Sequence, residues 1–199
     1  MEKQSKTNLK VLRASFFLML LIAVFFTAPT MSVANSQFIP VRGMIAPPSG
    51  ANDLCATYKW ACAKSRGGRT LTDQELKVVK DINKKVNRQV HSISDQAQYK
   101  NPEVWALPTN RGGDCEDFAL LKKRELIGLG IDPSHLLLAT VHDRRQGAHA
   151  VLIVRSGQGD LVLDNLTNRI RTWQDTQYTF LRMQNPATPT KWVAVFAGG

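Results

Sequence analysis

The sequence predicts an α+β protein, and three observations carry that reading. Apolar residues recur every three or four positions in the first half of the folded chain. The second half changes to short apolar runs rich in Val, Leu and Ile, separated by glycine-containing turns. Helices first and antiparallel strands after give the segregated α+β class. A chain of 199 residues suffices for one domain with a real core and is short for two.

Residues 1–34 read as a signal peptide rather than as part of the fold. Lys3, Lys6, Lys10 and Arg13 form a basic leader, Ala14 to Ala28 is an uncharged apolar run, and Ser32-Val33-Ala34 offers a small-x-small cleavage pattern. The run is shorter than the roughly 18–20 residues of a spanning helix. An uncleaved anchor is the competing reading. The expected location is therefore periplasmic or secreted. Residues 35–50 carry Pro40, Gly43, Pro47, Pro48 and Gly50 and read as an irregular lead-in to a domain over 51–199.

Within that domain, residues 51–64 form a short helix or a loop around Cys55 and Cys62. On one straight helix these cysteines would stand about 10 Å apart, so a disulfide between them needs a turn. Thr72 to about Val90 is the first strong helix. Thr72 and Glu75 match a capping box, and Leu76, Val79, Ile82, Val86 and Val90 mark one buried face. Asn101 to Gly113 is a loop holding Trp105. A second helix starts at Asp114 or Cys115 and ends near Ile127 or Leu129, with Gly128 or Gly130 to close it. Strands follow over 135–141, 148–155 and 160–164, with further candidates at 169–173 and 192–196.

The net charge is +10. Four basic residues and one acid leave with the leader, so the remainder carries about +7. The basic residues are spread along the chain, with Lys77, Lys80, Lys84, Lys85 and Arg88 on one helix and Lys122, Lys123 and Arg124 on the other. No aromatic-interleaved basic array appears, which argues against nucleic acid as a partner.

Chemistry concentrates in Gly112-Gly113-Asp114-Cys115-Glu116-Asp117. The glycines permit a tight turn, and Cys115 then falls at a helix N-terminus, where free N–H groups and the helix dipole favour a thiolate. With Cys55 and Cys62 paired, Cys115 is the leftover thiol of an exported protein, either reactive or inert in a core. Asp114, Glu116 and Asp117 offer oxygen ligands to a hard cation such as calcium; as plain helix caps, Asp114 and Asp117 need no ion. Of the four histidines, His91, His135 and His142 read as surface or edge residues. His149 opens an apolar strand between small neighbours, Ala148 and Ala150. An edge histidine without chemistry fits the same pattern. A hairpin centred between Ser156 and Gly157 would set His149 opposite Asp164, with Cβ atoms about 4.5–5.5 Å apart, and a turn displaced by one residue would make them diagonal neighbours. Asp164 then fixes the histidine tautomer, with Asn165 a weaker substitute.

Trp105-Ala106-Leu107-Pro108, Gly113-Asp114-Cys115-Glu116-Asp117-Phe118-Ala119, Ala148-His149-Ala150-Val151-Leu152 and Val162-Leu163-Asp164-Asn165 together resemble the bacterial transglutaminase-like cysteine proteinases, which include the LapG-type periplasmic proteases. The resemblance covers roughly residues 50–197. It implies a papain-like, transglutaminase-like fold, with the nucleophile at a helix N-terminus packed on an antiparallel sheet. It implies a Cys115–His149–Asp164 triad, calcium at Asp114, Glu116 and Asp117, and no organic cofactor. It further implies a cell-envelope protein substrate such as a surface adhesin released from biofilm, and an inner-membrane regulatory receptor. An acyl transferase on the same fold and a noncatalytic calcium-dependent envelope binding module are the alternatives.

Overall fold

The structure, a computed structural model, describes residues 36–65, 67–145 and 147–198. The expected signal peptide lies outside the described residues. Among those described, no helix is long and apolar enough to cross a membrane. Strand β1 (Gly43–Ile45) leads, followed by helices α1 (Leu54–Thr57), α2 (Asp73–Gln89), α3 (Asp95–Tyr99) and α4 (Cys115–Gly128). Strands β2 (Leu136–His142), β3 (Ala148–Ser156), β4 (Gly159–Leu163), β5 (Arg171–Thr172), β6 (Thr179–Gln184) and β7 (Trp192–Gly198) complete the chain. They form one sheet in the order β1-β7-β6-β2-β3-β4-β5, with every pairing antiparallel.

The capping box that opens α2 is formed. Thr72 Oγ1 accepts from the Glu75 N–H at 3.3 Å, and Glu75 Oε2 accepts from the Thr72 N–H at 2.8 Å. Losing such a cap costs about 1 kcal/mol. Arg69 adds a two-pronged pair to Glu75, and its hydrogen bonds hold the Glu75 carboxyl at about 2. Val79, Ile82 and Val86 then bury the face that their spacing predicts.

Helix α4 is covered on nearly all sides. Phe118, Leu120 and Leu126 are buried, and so are Lys122 and Lys123, neither of which is exposed at all. Their place in a run of basic residues suggests solvent; packing against β3, α2 and the disulfide segment puts them inside instead. Burial pulls each amine down to about 7. Lys123 Nζ donates to Gln184 Oε1 at 2.6 Å, while Lys122 Nζ has no hydrogen-bond partner among the described residues and sits 5.9 Å from the Phe118 ring centre. Gln184 Oε1 also accepts from the Leu138 N–H, and Gln184 Nε2 donates to the Ala61 and Pro189 carbonyls.

The sheet is buried on both faces where β2 and β3 run, which explains their unbroken apolar sequences. Leu136, Leu138, Leu152 and Val154 pack with the helices, and Leu137, Ala139, Val151 and Ile153 pack with Trp173, Phe180 and Met183 on the other face. Full burial of such side chains contributes about 1.5–3 kcal/mol each.

Three segments differ from expectation. The lead-in over 35–50 contributes β1, which pairs with β7 and is fixed by the Arg42 N–H donating to Ala194 O. Strand β6 fills the gap before the last strand, and its register shifts between Phe180 and Arg182 interrupt the alternation that would mark it. Strand β5 is two residues long where five are expected.

Candidate active site

The two glycines before α4 bring its first turn into place. Gly112 has φ +121, and a Cβ there would lie 1.9 Å from His91 O. Gly113 donates to His91 O, accepts from the Ile93 N–H, and leaves room for the Asp117 carboxylate, which a Cβ would meet at 2.4 Å. Only residues without a side chain allow this approach. Cys115 is therefore presented as the first residue of α4, unpaired and half-buried. The other two cysteines are joined: α1 ends at Thr57, a 3-10 turn over Lys59–Cys62 folds back, and Cys55 and Cys62 form a disulfide with Cα atoms 5.5 Å apart.

Cys115 and His149 line the same cleft of about 390 Å³, together with Trp105, Ala148 and Ala150. His149 is buried at the start of β3, and its Nε2 lies 3.0 Å from Asp164 Oδ1. The other Asp164 oxygen accepts from Tyr178 Oη at 2.6 Å, and the Leu166 N–H donates to Oδ1 at 2.9 Å. Burial pushes the Asp164 carboxyl up, yet the hydrogen bonds from His149 and Tyr178 prevail and hold it below the usual range. Tyr178 also stands edge-on to the imidazole, ring centres 5.9 Å apart, and burial and Asp164 push its hydroxyl up.

The contact between His149 and Asp164 does not come from direct opposition. In the observed register Ser156 pairs with Gly159 and Leu152 with Leu163, so the turn is centred one residue later than expected. Asp164 lies just past the end of β4, diagonal to His149, and still reaches it. Of the remaining histidines, His135 has its ring nitrogens 2.8 Å from the Arg155 and Arg69 carbonyls, and none of the three lines the cleft.

The acids are arranged differently from the expected set. Asp114 caps no backbone N–H of α4; its Oδ2 accepts from the Asp95 N–H at 3.0 Å. Carboxylate oxygens of Asp95, Asp114 and Glu116 lie within 4.8 Å of one another. Asp117 does not belong to this group. It turns back over Gly113, accepts from the Ala106 N–H at 3.1 Å and is fully buried, which drives its carboxyl up to about 7. Asp95 takes its place in the group. It stands at the start of α3, twenty residues before Cys115, just after the Ser94 cap. Burial also raises Asp95, and it raises Glu116 to about 8. Among the described residues Asp95 Oδ1 and Asp114 Oδ1 are buried without a hydrogen-bond partner. An all-oxygen cluster with orphaned acceptors fits a hard divalent cation.

These acids bear on the nucleophile. The Cys115 thiol donates to Glu116 Oε2 at 3.1 Å. Burial and the Glu116 charge push the thiol well up, while the Ala150 N–H facing the sulfur works the other way. Trp105 is both anchor and wall: it packs edge-on against Trp192 at 5.7 Å, and its indole N–H donates to Glu103 Oε1 at 3.1 Å. Tyr178, like Asp95, is a site residue that the sequence does not reveal; it precedes the irregular strand β6.

No curated protein matches the chain at a meaningful level. Among solved structures, calcium-bound LapG of Legionella pneumophila aligns over 77% of this chain and 84% of its own, with a TM-score of 0.51 and 19% identity, a likeness of fold. The EGTA-treated form of the same protein aligns at 23% identity and a TM-score of 0.49, over 56% of this chain and 63% of its own. In that alignment the chain spans less than two thirds of its counterpart's length. The family model of the bacterial transglutaminase-like cysteine proteinases matches residues 41–198, and the chain belongs to that family.

Proposed function

We propose that the protein is an exported cysteine endopeptidase with Cys115 as nucleophile, His149 as general base and Asp164 as the group that orients it. The observation that carries this reading is the Asp164-bound imidazole of His149 facing the same cleft as the one free thiol of the described residues. With Nε2 turned to Asp164, the other ring nitrogen is left for the thiol proton. The Cys115 sulfur attacks the peptide carbonyl carbon, and His149 takes the thiol proton and returns it to the leaving amine. N–H groups at the start of α4 face the developing oxyanion. Water, deprotonated by His149, then releases the acyl group and restores the thiol.

Calcium is the proposed metal, with Asp95, Asp114 and Glu116 holding it. Its charge would offset the carboxylates that now oppose a Cys115 thiolate. The proposed setting is the periplasm, the substrate a cell-envelope protein such as an adhesin, and the regulator an inner-membrane receptor. The charge of the chain and its leader support an envelope setting.

The test is labelling of Cys115 by a mild thiol electrophile across pH, with calcium or chelator, against His149→Ala. Fast labelling below pH 7 that needs both calcium and His149 supports the reading. An ordinary thiol profile under all conditions refutes it. A peptide substrate with and without an added amine separates hydrolysis from acyl transfer.

A further inference from the structure

Behind the His149–Asp164 pair lies a second pocket, of about 630 Å³, that the chemistry above does not use. Arg144, Arg145 and Arg171 line it, with Tyr178, Asp143 and the exposed Leu166. Among the described residues none of the three arginines makes an ion pair. Among the described residues the one hydrogen bond from these guanidinium groups is a 3.4 Å contact from Arg144 to Gln177 Oε1. The single acid of the lining is committed elsewhere: Asp143 Oδ1 accepts from the Arg145 and Gly147 N–H groups and closes the turn between β2 and β3. Three guanidinium groups against one carboxylate leave the pocket positive, and concave walls concentrate that field.

The pocket is tied to the cleft by structure. Val141 and His149 wall the cleft, while Asp143 to Arg145, on the hairpin between them, wall the pocket. Tyr178 faces the pocket and donates to Asp164 Oδ2. Asp143 follows Val141 by two residues on the same hairpin, about 7 Å of strand, so cleft and pocket are separated by a few residues' length of extended peptide.

We propose that this pocket receives an acidic side chain of the protein substrate, a few residues from the scissile bond, and that Arg144, Arg145 and Arg171 select for it. Planar guanidinium groups match a carboxylate in two-pronged fashion, which makes Asp or Glu the fitting side chain. The proposal rests on the peptidase reading for its substrate but not for its test.

The test is direct binding to the full-length protein, by anisotropy of labelled acetyl-tetraglutamate amide, with the tetraglutamine peptide and inorganic phosphate as competitors. The glutamate peptide should bind about tenfold more tightly than its glutamine counterpart. The doubly substituted Arg144→Gln, Arg171→Gln protein should lose about that tenfold, with its thermal midpoint and Cys115 labelling rate unchanged. Equal binding of the two peptides overturns the proposal, as does glutamate binding indifferent to the double substitution. Displacement by phosphate at matched charge and ionic strength also overturns it, in favour of a small-anion site. Selective acidic binding in a protein that cleaves nothing would sink the peptidase reading alone.

Discussion

Replacing Lys123 by Met should make the protein more stable at neutral pH. The Lys123 amine is fully buried, and burial takes it from 10.5 in an open chain to about 7 in the fold. The unfolded chain therefore binds more protons than the native one between those values, and stability rises with pH through that window. The cost is full below pH 7 and gone above 10.5. The gap corresponds to about 4–5 kcal/mol, of which about half is recovered between pH 7 and pH 9. Methionine fills a similar volume without a charge. Against the gain stands the lost 2.6 Å hydrogen bond to Gln184, worth about 1–3 kcal/mol; Gln184 Oε1 keeps its bond from the Leu138 N–H. The net expectation is a gain of about 2 kcal/mol at pH 7, shrinking to near zero by pH 9. Urea unfolding followed by tryptophan fluorescence at both pH values measures it. The change in stability from pH 7 to 9 should be about 2 kcal/mol more favourable in the parent than in the substituted protein; Lys122, drawn down to about 7, adds a similar rise to both, and Glu116, raised to about 8, subtracts from both. A protein no more stable at pH 7, with the pH slope unchanged, would refute the argument.

Tyr178→Phe removes a charge-assisted hydrogen bond to Asp164 and should cost about 1.5–3 kcal/mol in stability, read by thermal unfolding, with slower His149-dependent labelling of Cys115. Asp95→Asn should weaken calcium binding in calorimetry at least about tenfold, whereas Asp117→Asn should leave it near the parental value, because only Asp95 shares the cluster with Asp114 and Glu116. A larger loss from Asp117→Asn would restore the assignment suggested by sequence adjacency. Gly112→Ala combines a positive φ with a clash against His91 O and should destabilise by about 2–4 kcal/mol in urea unfolding, with Gly128→Ala, which meets nothing, as the neutral control.

Much of the frame was legible because it depends on local physics. The capping box of α2, the glycines before α4 and the apolar runs of β2 and β3 are short-range signals, and the structure places elements where they point. His149 and Asp164 meet despite a displaced turn, because diagonal neighbours across a hairpin remain within reach of a histidine and a carboxylate. What stayed hidden depends on distant partners. Nothing near Asp95 marks it as a neighbour of Asp114; the bridge between Ser92 and Gly113 brings the two segments together. Nothing in the sequence marks Lys122 and Lys123 as buried, because burial of a helix on all sides is decided by what packs on it. Strand β6 was obscured by its irregular pairing, and Tyr178 with it.

The carboxamide of Gln184 joins four parts of the chain at once: α4 through Lys123, β2 through Leu138, the disulfide segment through Ala61 and the last turn through Pro189. Partial opening at any one of them strands a polar group in the interior. Such a shared fastening penalises subglobal unfolding and leaves mainly the all-or-none transition. Amide hydrogens of the disulfide segment should then exchange at the rate of global unfolding, even though that segment lies far from the chain's centre in sequence.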